Sequence, residues 1–367
     1  MKKLVYLLVI IFMGLTVFVA CDKNDENPLD SNNDPNTPTN TIKPGIRQYF
    51  TSASHGDIIA LTINGDNATY SFINETTNES GSGSFVLSSD SKLSGVYETT
   101  VNGKKQYIIE LPGVAVVSSL PLGNTENRIS FGLSSDIHKK NNYSINDFVG
   151  KYLFMNFDEG EKIPEYFLGG YEVKTNGAYT YGFSNHNFSS INFSGYGSRI
   201  FNFVEGDNSR VKFTESDGFS GYGSIYPDKL MVMDNGEGNG FSVGVNYPPA
   251  PISQNQIAGN YKAVTITTHS GESVMNFSIP DSGKDFSIYE KFNDGTVYDT
   301  SKENIAVESF GRMPSFNNIF KGVYRANTDG NIDIGEVYLI ILPGEMLMYF
   351  SVEEGEIASY GLALKVN

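Results

Sequence analysis

The chain has no tryptophan, a single cysteine and only four histidines in 367 residues. One cysteine excludes any disulfide within the chain. The histidines, His55, His138, His186 and His269, fall at no spacing that a zinc site uses, so no metal is expected. Basic residues are scarce too: 26 Lys and Arg stand against 42 Asp and Glu, a net charge of −16. A surface of that sign repels nucleic acid and other polyanions, and leaves neutral or cationic partners open. Helix-like stretches are few, and the one long apolar run lies at the amino terminus.

That run, residues 4–20, follows Lys2 and Lys3 and ends at Cys21, where "DKNDENP" begins. A positive start, an apolar stretch and a small residue at its end have the shape of a secretory signal. Val19, Ala20 and Cys21 resemble the end of a bacterial lipoprotein signal peptide, which implies cleavage before Cys21 and acylation of its thiol and amine. Cys21 is then the lipid attachment point, since several acyl chains hold a bilayer stably where one does not. The following "DKNDE" resembles the Lys-then-acidic export signal of Bacteroidetes surface lipoproteins. It implies an outer-membrane protein facing the cell exterior, with the periplasmic face as the alternative. Residues 21–43, rich in Asn, Asp, Pro and Thr, bury too little to offset their ordering entropy and read as a disordered tether.

The rest is built of short alternating apolar runs bounded by Gly, Asn, Asp or Pro, such as "DIIALTI" and "VYLIILPGEMLMYF". These are strand and turn signals. Three segments share apolar strand, proline turn and apolar strand: "IIELPGVAVVSS", "GSIYPDKLMVMD" and "LIILPGEMLMYF", around Pro112, Pro227 and Pro343. "SFGLS", "SVGVN" and "SYGLA" close each unit on Gly132, Gly244 and Gly361. Hairpins are expected at "INGDNATYSF", "KTNGAYTYGF" and "PDSGKDFSIY", with a type I′ turn favoured at the two Asn-Gly pairs. This recurrence predicts three β domains, at residues 44–140, 141–249 and 250–367, each large enough for its own core.

"VGKYLF" at Gly150 and "AGNYKA" at Gly259 resemble the opening of lipocalin-like or calycin-like domains. The expected fold is all-β: three tandem antiparallel barrels or sandwiches, the resemblance favouring barrels.

No catalytic constellation emerges. "GFSGYG" departs from a nucleophile elbow at Tyr222, where glycine is needed, and no helix follows. "DGNIDIGE" from Asp329 carries oxygen ligands at alternate positions but has Ile334 at the sharp-turn position and Ile340 at the closing Glu position of a calcium loop. The middle unit repeats the hexapeptide "FSGYGS" at residues 193–198 and 219–224. Small neighbours leave Tyr196 and Tyr222 room to stand clear, and Tyr179 and Tyr181 share one strand face nearby. Uncrowded tyrosines can stack on a pyranose face, although an aromatic row in a strand more commonly belongs to a core. The expectation is a membrane-anchored binding module for a neutral glycan or small apolar ligand, not an enzyme and without a cofactor, with Tyr179, Tyr181, Tyr196 and Tyr222 as ligand contacts. The alternative is a structural, adhesin or envelope-complex protein with no small ligand.

Overall fold

In the computed structural model of the chain the described residues are 41–139, 144–157, 167–184, 190–194, 197–204, 211–215, 218, 220–226, 229–235, 240–267, 271–282, 286–301, 305–328, 331–353 and 356–366. Cys21, the signal segment, nearly all of the tether, Tyr196, His186, His269 and Asp329 lie outside them.

The all-β expectation holds, and it resolves into three antiparallel sheets. Each is a meander in which consecutive strands are neighbours, save at one seam in each of the outer two, and the first strand pairs with the last. In the first sheet Ile46–Ala53 pairs with Ser130–Ser134. In the second Gly150–Phe157 pairs with Phe241–Asn246, closing an eight-stranded barrel. In the third Gly259–Thr267 pairs with Glu356–Lys365. Among the described residues the outer two have nine strands and stay open at one seam, between Glu79–Ser84 and Val86–Leu87 in the first and between Val297–Asp299 and Ile305–Arg312 in the third. Between barrel and sandwich, pairing unbroken around all eight strands decides for the barrel in the middle.

The repeated motifs occupy equivalent places. The strands on either side of each proline segment pair with each other, with backbone bonds from Val114 to Leu111, Lys229 to Tyr226 and Glu345 to Leu342 at 2.9, 3.0 and 3.2 Å; Pro227 itself lies outside the described residues. Each closing glycine lies on the pair that joins first strand to last: Gly132 to Thr51, Gly244 to Phe154, Gly361 to Thr265. At Gly361 a Cβ would stand 2.4 Å from the Val264 carbonyl oxygen and 2.8 Å from the Tyr349 ring. The second and third sheets share an entry as well. A 3-10 turn with a capping box, Ile145–Phe148 or Gln254–Ile257, leads into Gly150 or Gly259, both at positive φ.

The turn chemistry differs from expectation in one respect. A type I′ turn needs φ > 0 at both central residues, and only Gly177 of the Asn176–Gly177 pair has it, while neither Asn64 nor Gly65 does. There the Asn64 side chain instead accepts from the Asp66 and Asn67 backbone amides. The Asn-Gly pair Asn102–Gly103 does meet the condition, at φ 51° and 79°.

A second device recurs inside the sheets: a ring lying across a glycine on the paired strand. Tyr70 and Gly83, Phe154 and Gly169, Tyr181 and Gly197, Tyr324 and Gly335, and Tyr349 and Gly361 are direct partners. A Cβ on any of these glycines would fall within 3.0 Å of its partner's ring. The ring covers backbone that glycine leaves bare, and glycine gives the strand freedom to curl.

The modules are not beads on a string. Residues from Pro38 to Asn367 form one compact unit, and each sheet touches both others. Arg128 donates to Glu272 at 2.7 Å and Lys262 to the Lys92 carbonyl at 2.6 Å, joining first and third sheets, where Tyr289 also donates to Asp90. Burial pulls the Lys262 ammonium down to about 8. Between second and third, Phe167 packs edge-on against Phe350 and Tyr360, Lys229 pairs with Glu345, and Asn317 donates to the Pro248 carbonyl at 2.8 Å. Ion pairs and rings of this kind fix orientation more than they add stability.

Candidate functional site

The closed middle barrel holds a column of aromatic rings. Phe154 stacks on Tyr171 with centroids 4.5 Å apart and planes 8° from parallel. Tyr171 meets Tyr179 edge-on at 6.4 Å, Tyr179 lies 6.0 Å from Tyr181, and Tyr181 meets Phe183 edge-on at 6.1 Å. Offset and edge-on contacts of this kind suit the ring quadrupole. One end of the column is sealed by Phe148 from the 3-10 turn, which joins the buried cluster with Tyr152, Val173 and Tyr179. Toward the other end Tyr181, Phe183 and Met233 are only partly buried. The interior therefore grades from a buried aromatic floor to partly buried rings.

The four tyrosines read from the sequence are placed differently from one another. Tyr179 is 6% exposed and belongs to the barrel core. Tyr181 shares its strand face, two residues on, with Gly197 clearing space beside its ring. Tyr222 is 39% exposed and lies on the outer face, since Ile225 of the same strand points inward. Tyr196 is outside the described residues. The structure thus brings Tyr179 and Tyr181 together and sets Tyr222 apart on the other side of the wall. Phe193, which opens the first hexapeptide, packs on the outside against Gly170, with the Lys151 ammonium 5.3 Å from its ring centre.

The other two interiors carry charge that sequence reasoning missed. In the first sheet Arg47 forms a two-pronged bond to Glu110, at 2.5 and 2.9 Å, and Tyr49 donates to the same carboxylate at 2.6 Å. Burial beside that carboxylate pushes the Tyr49 hydroxyl well above its usual range. In the third sheet Glu290, 8% exposed, accepts from Ser273 at 2.5 Å, and no described basic side chain pairs with it. Burial, aided by Glu353, pushes its carboxyl up to about 7, against the Ser273 hydrogen bond. Alternation alone could have placed Glu110 inward, because it stands two residues after Ile108 on one strand. Among the described residues no three His, Cys, Asp or Glu converge as a metal site, and no helix is long and apolar enough to cross a membrane.

No family model matches the chain, and no curated protein does. Among solved structures, transferrin binding protein B from Haemophilus parasuis overlays with a TM-score of 0.27 at 9% identity, over 84% of this chain and 66% of that one. The chain thus spans about two thirds of that protein's length. The intact protein Ap-TbpB, with N and C lobes, overlays with a TM-score of 0.22 at 8% identity, over 90% of this chain and 79% of that one. Overlays this loose align strands and carry no argument about function.

Proposed function

We propose that the chain is a surface-anchored binding protein whose middle barrel takes a small apolar ligand or the ring face of a neutral glycan. Acylated Cys21 and the tether at residues 21–43 hold the body at the outer membrane, facing the cell exterior. The observation that carries the reading is the aromatic column, sealed by Phe148 at one end and ending in half-buried Tyr181, Phe183 and Met233 at the other. Half-buried rings offer stacking area at little entropic cost. With no tryptophan, the emission of the chain is that of its 22 tyrosines, Tyr171, Tyr179 and Tyr181 among them.

The test is a titration of the full chain in detergent, followed by tyrosine emission, with N-phenyl-1-naphthylamine as apolar probe and dextran as neutral glycan. Binding by either, weakened about tenfold in Tyr181→Ala, supports the reading; no emission change with either probe refutes it. One observation favours a structural or envelope-complex role instead: the bonds that join the first and second sheets to the third make a body suited to present a fixed surface to a protein partner.

A further inference from the structure

The outward face of the first sheet carries a set of groups that the barrel interior does not. In the strands Ile46–Ala53, Ile58–Asn64, Thr69–Asn74 and Glu79–Ser84, inward positions are marked by Tyr49, Leu61 and Tyr70 of the core. The alternate positions face out. They run Ile46, Gln48, Phe50 and Ser52, then Ile58, Ala60, Thr62 and Asn64, then Thr69, Ser71 and Ile73, then Ser80, Ser82 and Ser84. None is charged, in a chain with 19% charged residues and a net charge of −16.

Register lines these side chains up across the sheet. Thr62 is paired with Ser71, and Ser71 with Ser82; Asn64 is paired with Thr69, and Thr69 with Ser84. The rungs cross an open depression of about 350 Å³ lined by Ile46, Thr62, Thr69, Ser71 and Ser82 among others. Among the described residues the hydroxyls of Thr62, Thr69, Ser71 and Ser82 bond to no other protein group, whereas Ser118 and Ser130 bond each other at 2.8 Å inside the fold. Ile46, 66% exposed, supplies an apolar wall. The sheet ends at Glu79–Ser84, so the depression runs out over an edge.

We propose that this depression binds a stretch of neutral polysaccharide, at a site distinct from the middle barrel. Strands lie about 4.8 Å apart, close to the length of one pyranose unit, so hydroxyls on successive strands meet successive sugars. Its volume is at the lower end of the range for ligand clefts, ~300–1,000 Å³. The lack of charge gives an ionic ligand nothing to pair with, and the open edge lets a polymer pass where a sealed barrel admits only a small molecule or a chain end. The inference rests on the binding-protein reading but not on the barrel being the site.

The experiment is affinity electrophoresis of the full chain in detergent through gels holding dextran, a galactomannan or polygalacturonate. Four variants run alongside: the double Ser71→Ala/Ser82→Ala, Ser71→Arg to fill the depression, Ser80→Ala on the same face outside it, and Tyr181→Ala. Circular dichroism confirms that each is folded. The expected result is retardation by a neutral polysaccharide, weakened roughly tenfold in the double variant, as two lost neutral hydrogen bonds imply, abolished in Ser71→Arg, and unchanged in Ser80→Ala. Retardation lost only in Tyr181→Ala overturns the inference and leaves the barrel as the glycan site. Retardation by polygalacturonate alone, or none while N-phenyl-1-naphthylamine still binds, overturns it and leaves the apolar-ligand reading standing. No binding of any probe overturns both.

Discussion

Glu290 gives the sharpest physical test of the third sheet. Its carboxyl is buried and raised to about 7 from an ordinary 4.5. Between those values the folded protein holds a proton that the unfolded chain has released, so stability falls as pH rises through that window. At 1.36 kcal/mol per pH unit the loss is roughly 3 kcal/mol once the pH passes 7. Glu290→Gln keeps the shape and the Ser273 hydrogen bond without the titration. Urea denaturation of both proteins from pH 4 to 8, followed by tyrosine emission, should show the variant gaining on the wild type by about that amount between pH 4.5 and 7.5. Taking the difference removes the titration of every other group. Parallel curves would refute the reasoning, showing either that Glu290 is hydrated or that a cation neutralises it.

Two further outcomes follow from the same packing. Glu110→Gln leaves the Arg47 guanidinium without its carboxylate in a part-buried site, and should cost about 3–5 kcal/mol by urea denaturation. The double variant Arg47→Met/Glu110→Leu should recover part of it, since the buried Tyr49 hydroxyl still loses its acceptor, and a double variant as unstable as the single one would contradict the account. Gly361→Ala drives a methyl onto the Val264 carbonyl and the Tyr349 ring and should cost about 1–3 kcal/mol, whereas Gly103→Ala, where nothing lies within 4 Å, pays only for its positive φ.

The three-fold recurrence was legible because proline turns and closing glycines are local: each shapes backbone within a few residues, and the strands follow. The all-β class was legible for the same reason. Barrel closure was not, because it depends on pairing such as Tyr152 with Asn246, set by curvature accumulated over a whole meander. Alternation put Tyr179 and Tyr181 on one face, but it could not say that this face is the inside while Tyr222 looks out. The charged interiors were hidden by distance: Arg47 and Glu110 lie 63 residues apart. So were the contacts between sheets, where Arg128 and Glu272 are separated by 144 residues. The outer hydroxyl ladder needed register, since Ser, Thr and Asn in a strand look the same whether they turn a corner or line a groove.

The clasp between the sheets sets how the body comes apart. A protease that cuts a linker does not release a module, because Phe157 and Phe167 still hold Tyr360, and Lys262 still holds the Lys92 carbonyl. Truncation at residue 249 would strip the cover from Phe167 and Tyr247 and leave an apolar face on the fragment. Loss of one sheet is therefore felt by the others, and a pull on the body loads one unit, not three links in turn.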